Sequence, residues 1–186
     1  MDKNIIGILL NDGIGILPTD TLYGLVGRAF SRKVFDRIFE LKKRNSESPF
    51  IILVSSIKDL KLFDIKIDEN TKKILEKYWL GKVSVVLPCN NEKLSYLHLG
   101  TKTLAFRVPD KKDLLELLKI TGPLLAPSAN HPGENPALTI EEARNYFGNN
   151  VDFYVDEGRL ESLPSTLIKI ENEKVVVLRE GERIII

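Results

Sequence analysis

Ile14-Gly15-Ile16-Leu17-Pro18-Thr19-Asp20-Thr21-Leu22-Tyr23-Gly24 is the stretch on which the fold turns. Ile14 to Leu17 reads as a short strand that stops at Pro18. A polar loop follows at once. In α/β folds, ligands meet the loops at strand ends. Two threonine hydroxyls, a carboxylate and a phenol there can hydrogen-bond a small polar substrate. A Thr-Asp turn that merely caps the strand accounts for the same residues.

Working outward, residues 3–11 are apolar, and Asp2 as N-cap with Gly13 as stop favours a helix. Ser31 can cap a helix over 32–42, where Val34, Phe35, Ile38 and Phe39 share one face. Phe50 to Val54 is a continuous apolar run, as expected of a strand buried on both faces. A helix is expected over 69–79, strands at Val83–Leu87 and Leu104–Val108, and a helix capped by Asp110 that carries Leu114, Leu115, Leu117 and Leu118. Leu124–Ala126 is a short strand before the turn-rich segment Pro127–Pro136. Thr139 and Glu142 form a capping box for a helix to Phe147. Strands at 152–155, 165–170 and 174–179 close the chain, the last two joined by Glu171-Asn172-Glu173. Helices and strands interleave, which predicts a single α/β domain over 1–186 with a mixed sheet and a C-terminal hairpin.

The 186 residues carry 27 Lys plus Arg against 26 Asp plus Glu, a net charge of +1, with 43 % hydrophobic residues. Balanced charge and abundant aliphatics exclude disorder, and the neutral mean excludes a global polycation. A chain this long buries roughly 70 % of its unfolded surface, so no disulfide or metal is needed to fold. The apolar runs, such as Ile5–Leu10, are too short to span a membrane. Met-Asp-Lys-Asn lacks the basic start of a signal peptide. A cytoplasmic protein without membrane attachment is expected. Cys89 is alone at the end of an apolar run and reads as a buried strand-end thiol. With His98 and His131 as the only histidines, no typical zinc site can form and no protein ligands for a metal are identified.

The phosphate-loop pattern fails because Gly81-Lys82 is followed by Val83. The dinucleotide pattern fails because Pro18 stands where its last glycine belongs. HExxH and GxSxG are absent. A catalyst of this composition works by positioning and electrostatics rather than through a histidine base.

Three further constellations stand out. Residues 28–44 hold seven basic side chains (Arg28, Arg32, Lys33, Arg37, Lys42, Lys43, Arg44) against Asp36 and Glu40. They either complement the helix C-terminus or clamp phosphate. Ala126-Pro127-Ser128-Ala129-Asn130-His131-Pro132-Gly133 is either an ordinary turn or a tight loop that approaches phosphate or ribose. Arg107 and Arg179 end apolar strands with no acid beside Arg107, and Pro164-Ser165-Thr166 opens another strand. Together these polar strand ends predict one crevice for an anionic, phosphorylated ligand.

These residues resemble the YrdC-type threonylcarbamoyl-AMP synthases almost end to end. Pro18 to Gly24 is similar to the family's PTDTVYGLG, and Leu41-Lys42-Lys43-Arg44 to its KxR element. Leu104-Ala105-Phe106-Arg107-Val108-Pro109 resembles its vavRvP strand, and Gly122 to Asn130 its GPl.apSAN. Pro164-Ser165-Thr166-Leu167-Ile168 resembles PSTIv, and Leu178-Arg179-Glu180-Gly181 the closing lR.G. The resemblance implies a YrdC-like fold, a twisted mixed β-sheet flanked by helices around a central positively charged cavity. It implies that L-threonine, bicarbonate and ATP with Mg²⁺ give threonylcarbamoyl-AMP and pyrophosphate, for a downstream tRNA threonylcarbamoyl transferase. Lys42, Arg44, Ser128, Asn130 and Arg179 would face ATP, with Lys42 and Arg44 catalytic. Thr21, Tyr23, Arg107 and Ser165 would hold threonine. A non-enzymatic paralogue binding nucleotide, tRNA or double-stranded RNA is the alternative, and hydrogenase-maturation enzymes carry the same domain in longer chains. The sequence departs from the family at Trp79-Leu80-Gly81-Lys82-Val83-Ser84, where WPGP(V/L)T is usual. It also has Asn45 after KxR in place of Pro, and Leu53 near a position where many relatives have His. A short, single-domain form without the extra domain of the longer branch is expected.

Overall fold

The computed structural model describes residues 2–43 and 50–185. Its helices are α1 (Lys3–Leu10), α2 (Arg32–Leu41), α3 (Glu69–Tyr78), α4 (Ser95–His98), α5 (Lys112–Thr121) and α6 (Ile140–Phe147), with a 3₁₀ segment at Ile57–Phe63 and a shorter one at Glu92–Leu94. Its strands are β1 (Gly15–Pro18), β2 (Tyr23–Arg28), β3 (Ile51–Leu53), β4 (Val83–Pro88), β5 (Thr103–Arg107), β6 (Leu124–Leu125), β7 (Phe153–Tyr154), β8 (Thr166–Glu171) and β9 (Lys174–Arg179). They form one sheet in the order β7-β1-β2-β6-β3-β5-β4-β8-β9. β1/β7, β3/β5 and β4/β8 run parallel, and the other neighbours antiparallel.

Side-chain alternation distributes this sheet between two cores. Ile16, Leu25, Ile52, Phe106 and Leu125 face a large layer that also holds Val34, Phe35 and Ile38 of α2, Leu75 of α3 and Phe147 of α6. Their neighbours Leu17, Val26, Leu53 and Leu124 face the other side, packed with Leu9 of α1 and Leu114, Leu117 and Leu118 of α5. β3 is therefore packed on one face by the large layer and at Leu53 by the second core. Ile51 is only partly buried, so the expectation of a strand buried on both faces holds over part of its length. Cys89 is buried, with its thiol pushed up by desolvation. Among the described residues no helix is long and apolar enough to cross a membrane.

The predicted caps at Asp2, Ser31 and Thr139 all form, accepting from the backbone N–H of Asn4, Val34 and Glu142. Glu142 turns back to the N–H of Leu138. Asp110 does not cap α5. The helix starts one residue later, at Lys112, with Lys111 in the cap position and no side-chain cap bond. The backbone of Asp110 instead donates to Asp20. β8 and β9 meet through Asn172 and Glu173, both with positive φ, the backbone of a type I′ hairpin.

β2 is absent from the sequence-based expectation. Its glycines hide the strand pattern, and packing explains one of them. A Cβ on Gly27 would sit 2.4 Å from Val34 Cγ1 and 2.8 Å from Ile14 Cγ2. Glycine here lets α2 lie against the sheet. Gly27→Ala is expected to lower the unfolding free energy by about 1–3 kcal/mol, as overpacking does. Val34→Ala in the same chain should return part of it, read from urea denaturation of the single and double variants.

Candidate functional site

The second core does not extend along the whole sheet. Beyond α1 and α5, the face of β3, β5 and β8 is open and floors a cavity of about 840 Å³, within the size range of small-molecule sites. Ile51 and Ala105, direct partners in the β3–β5 ladder, line it together with Leu167 of β8. Around them stand Thr19 and Thr21 from the β1–β2 loop, Lys42, Arg107, Pro127, Ser128 and Asn130 from the loop after β6, Ser165, and Arg179 of β9. Loops more than a hundred residues apart converge because β2, β6 and β3 are neighbours in the sheet.

Lys42 ends α2 and is 6 % exposed. Its ammonium donates to the carbonyl oxygens of Ser128 (2.7 Å) and Asn130 (2.5 Å) and to Asn130 Oδ1 (2.9 Å). Ser128 Oγ donates to the same Asn130 Oδ1 at 2.7 Å. Three of the residues expected to face a nucleotide thus form one cluster. Arg44 lies outside the described residues. Of the basic segment, Lys42 is the member that lines the cavity among the described residues. Arg28 pairs with Asp12 (2.6 Å), Arg32 with Asp36 (2.8 Å) and Arg37 with Asp152 (2.6 Å). The reading of the whole stretch as a phosphate clamp is therefore narrowed: three of its seven cations are matched by acids away from the cavity.

Arg107 is also matched, by an acid that sequence proximity does not reveal. Its Nη1 donates to Asp20 Oδ1 at 2.5 Å and to Thr21 Oγ1 at 3.2 Å. Both members of the ion pair are buried, at 4 % and 3 % side-chain exposure. Asp20 Oδ2 accepts the N–H of Asp110 (3.1 Å), so neither carboxylate oxygen is idle. Burial pushes the guanidinium below its ordinary pKa and Arg179 adds to this, while Asp20 acts the other way. Nη1 carries the hydrogen bonds, and Nε is buried with no partner among the described residues. The side-on edge formed by Nε and Nη2, the geometry that grips a carboxylate with two parallel bonds, is thereby turned away from Asp20.

Ser165 Oγ lies 2.8 Å from Ser84 Oγ. Arg179 Nη2 donates to the Ser165 carbonyl at 2.8 Å, and burial lowers its pKa. Tyr23 lines the cavity, but its hydroxyl is engaged elsewhere. It donates to the Gly158 carbonyl (2.7 Å) and accepts the N–H of Glu157 (3.0 Å), fastening that loop to the wall. Leu53 is wholly buried and does not line the cavity. Sequence reasoning missed the pairing roles of Asp20 and Ser84. The signals were the Asp inside Pro18–Gly24 and the hydroxyl kept at the end of the altered 79–84 segment.

A family model covering the Sua5, YciO and YrdC proteins, described as telomere recombination, matches residues 7–181. A Methanocaldococcus jannaschii relative is 31 % identical over 93 % of this chain and 82 % of its own length. The Bacillus subtilis threonylcarbamoyl-AMP synthase is 29 % identical over 94 % of this chain and 51 % of its own. The crystal structure of Pyrococcus abyssi Sua5 complexed with L-threonine superposes with a TM-score of 0.87 at 28 % identity, covering 96 % of this chain and 53 % of that one. The chain spans about half the length of these last two.

Removing Asp20 leaves a buried guanidinium unpaired, so Asp20→Ala should cost about 3–5 kcal/mol of stability. Asp20→Ala with Arg107→Met, which removes both charges, should recover most of that loss in the same denaturation experiment.

Proposed function

The chain belongs to the Sua5, YciO and YrdC family, and from that premise we propose that it is a threonylcarbamoyl-AMP synthase, condensing L-threonine, bicarbonate and ATP with release of pyrophosphate. The observation that carries this reading is that one cavity is lined both by the Lys42–Ser128–Asn130 cluster and by Arg107 with its side-on edge unused. A cation with small polar groups suits a nucleotide, and a guanidinium fork suits an amino-acid carboxylate.

In this reading the threonine carboxylate lies on the Nε–Nη2 edge of Arg107, beside Thr21 and Ser165. Tyr23 holds the wall behind it. The threonine amine, once neutral, takes up the carbon of bicarbonate, and water leaves to give the N-carboxy amino acid. Lys42, Arg44, Ser128, Asn130 and Arg179 hold ATP, which brings Mg²⁺ as part of the substrate. A carbamate oxygen attacks the α-phosphorus, and the bond to the β-phosphate oxygen breaks as pyrophosphate departs. This is nucleotidyl transfer by positioning and charge neutralisation. In this reading the carbamate and the mixed anhydride are protected to the extent that the bound substrates displace water from the cavity. The product is activated for transfer, so a cytoplasmic tRNA threonylcarbamoyl transferase is the proposed consumer.

Pyrophosphate release measured with ATP, Mg²⁺, bicarbonate and a panel of amino acids tests the reading. Release that requires both threonine and bicarbonate is expected. Release independent of them, or none, overturns it. Lys42→Met should lower kcat/KM for ATP by about tenfold or more, the scale of one charge-assisted hydrogen bond, with a thermal melt confirming that the variant folds cooperatively.

A further inference from the structure

Ser84 and Ser165 share one hydrogen bond, and its direction can be worked out. Ser84 is 0 % exposed, and its hydroxyl contacts only Ser165 Oγ among the described residues. A buried hydroxyl proton needs an acceptor. If Ser165 donated to Ser84, the Ser84 proton would be stranded in the core. If Ser84 donates to Ser165, the Ser84 proton is satisfied and the Ser165 proton is left for the cavity that Ser165 lines. The sheet register agrees. Ser84 is the ladder partner of Leu167, which lines the cavity floor, so its side chain belongs to the same face of the sheet.

We propose that Ser84 is a positioning residue that holds Ser165 as a one-way donor, so that this end of the cavity accepts only a group with oxygen lone pairs to offer. Arg107 lines the same cavity, and its Nε has no partner among the described residues; in this proposal both donors serve the carboxylate of the amino-acid substrate. The hydroxyl alone serves this role, so threonine at this position would serve as well.

The inference rests on the proposed reaction, and steady-state kinetics of pyrophosphate release separates the two. Ser84→Ala should raise the KM for threonine about tenfold, the scale of one hydrogen bond to a charged group, with the KM for ATP and the melting temperature little changed. Ser84→Thr should restore the wild-type value. In a Ser165→Ala background, Ser84→Ala should have no further effect, because the group through which it acts is gone. A Ser84→Ala enzyme with unchanged threonine KM overturns the proposal, as does an equal effect in the Ser165→Ala background. Loss of cooperative unfolding in Ser84→Ala without rescue by Ser84→Thr also overturns it, assigning Ser84 to packing alone. A wild-type protein without threonine-dependent release overturns the reaction itself and this inference with it.

Discussion

A guanidinium and a carboxylate buried against each other, Arg107 and Asp20, constrain everything around them. Burying a charge is costly unless it is paired and its remaining polar atoms are satisfied. Asp20 meets that demand with both oxygens, one on Arg107 and one on the N–H of Asp110. It thereby ties the β1–β2 loop, the end of β5 and the approach to α5 into one unit. The pair does less for stability than its distance suggests, since desolvation offsets most of the Coulomb attraction. Its effect is orientation. By holding Nη1, Asp20 and Thr21 fix which edge of the fork remains for a ligand.

The same logic explains how a protein with a net charge of +1 can line a cavity with cations. Positive charge over residues 28–44 is conspicuous in the sequence, yet Arg28, Arg32 and Arg37 face Asp12, Asp36 and Asp152. Such partly exposed pairs contribute little stability each; Arg37–Asp152 joins α2 to the approach to β7, and Arg28–Asp12 joins the end of β2 to the approach to β1. Among the described residues, the cations that line the cavity are a smaller set, Lys42, Arg107 and Arg179, drawn from three separate elements. Lys42 is held by carbonyl and amide oxygens of the 128–130 loop, which aim its ammonium.

Much of the fold was legible from pattern. The runs at 14–17, 50–54, 83–87 and 104–108 mark strands because each is short and predominantly apolar. The caps at Asp2, Ser31 and Thr139 mark helix starts because each offers an oxygen to an otherwise orphan N–H. β2 was not legible. Gly24, Gly27 and a terminal Arg28 break its apolar pattern, and the reason for Gly27 is the close approach of α2, a tertiary fact. The 3₁₀ segment at Ile57–Phe63 and the four-residue α4 lie below the length at which periodicity can be recognised. In the site, Lys42, Ser128, Asn130, Arg107 and Ser165 were nameable from residue type and position at strand ends. Asp20 and Ser84 were visible as residues but not as partners.

The sequence by itself determined which residue types stand at the ends of which strands, since local propensity and alternation act over a few neighbours. Only the tertiary structure decided who faces whom. Arg107 meets Asp20 across 87 positions and Ser84 meets Ser165 across 81. The physical reason is the ladder register. In a sheet with a side-chain period of two, a shift of one residue sends every side chain to the opposite face. No local signal specifies which strand will lie alongside another, so both pairings come from the sheet as a whole.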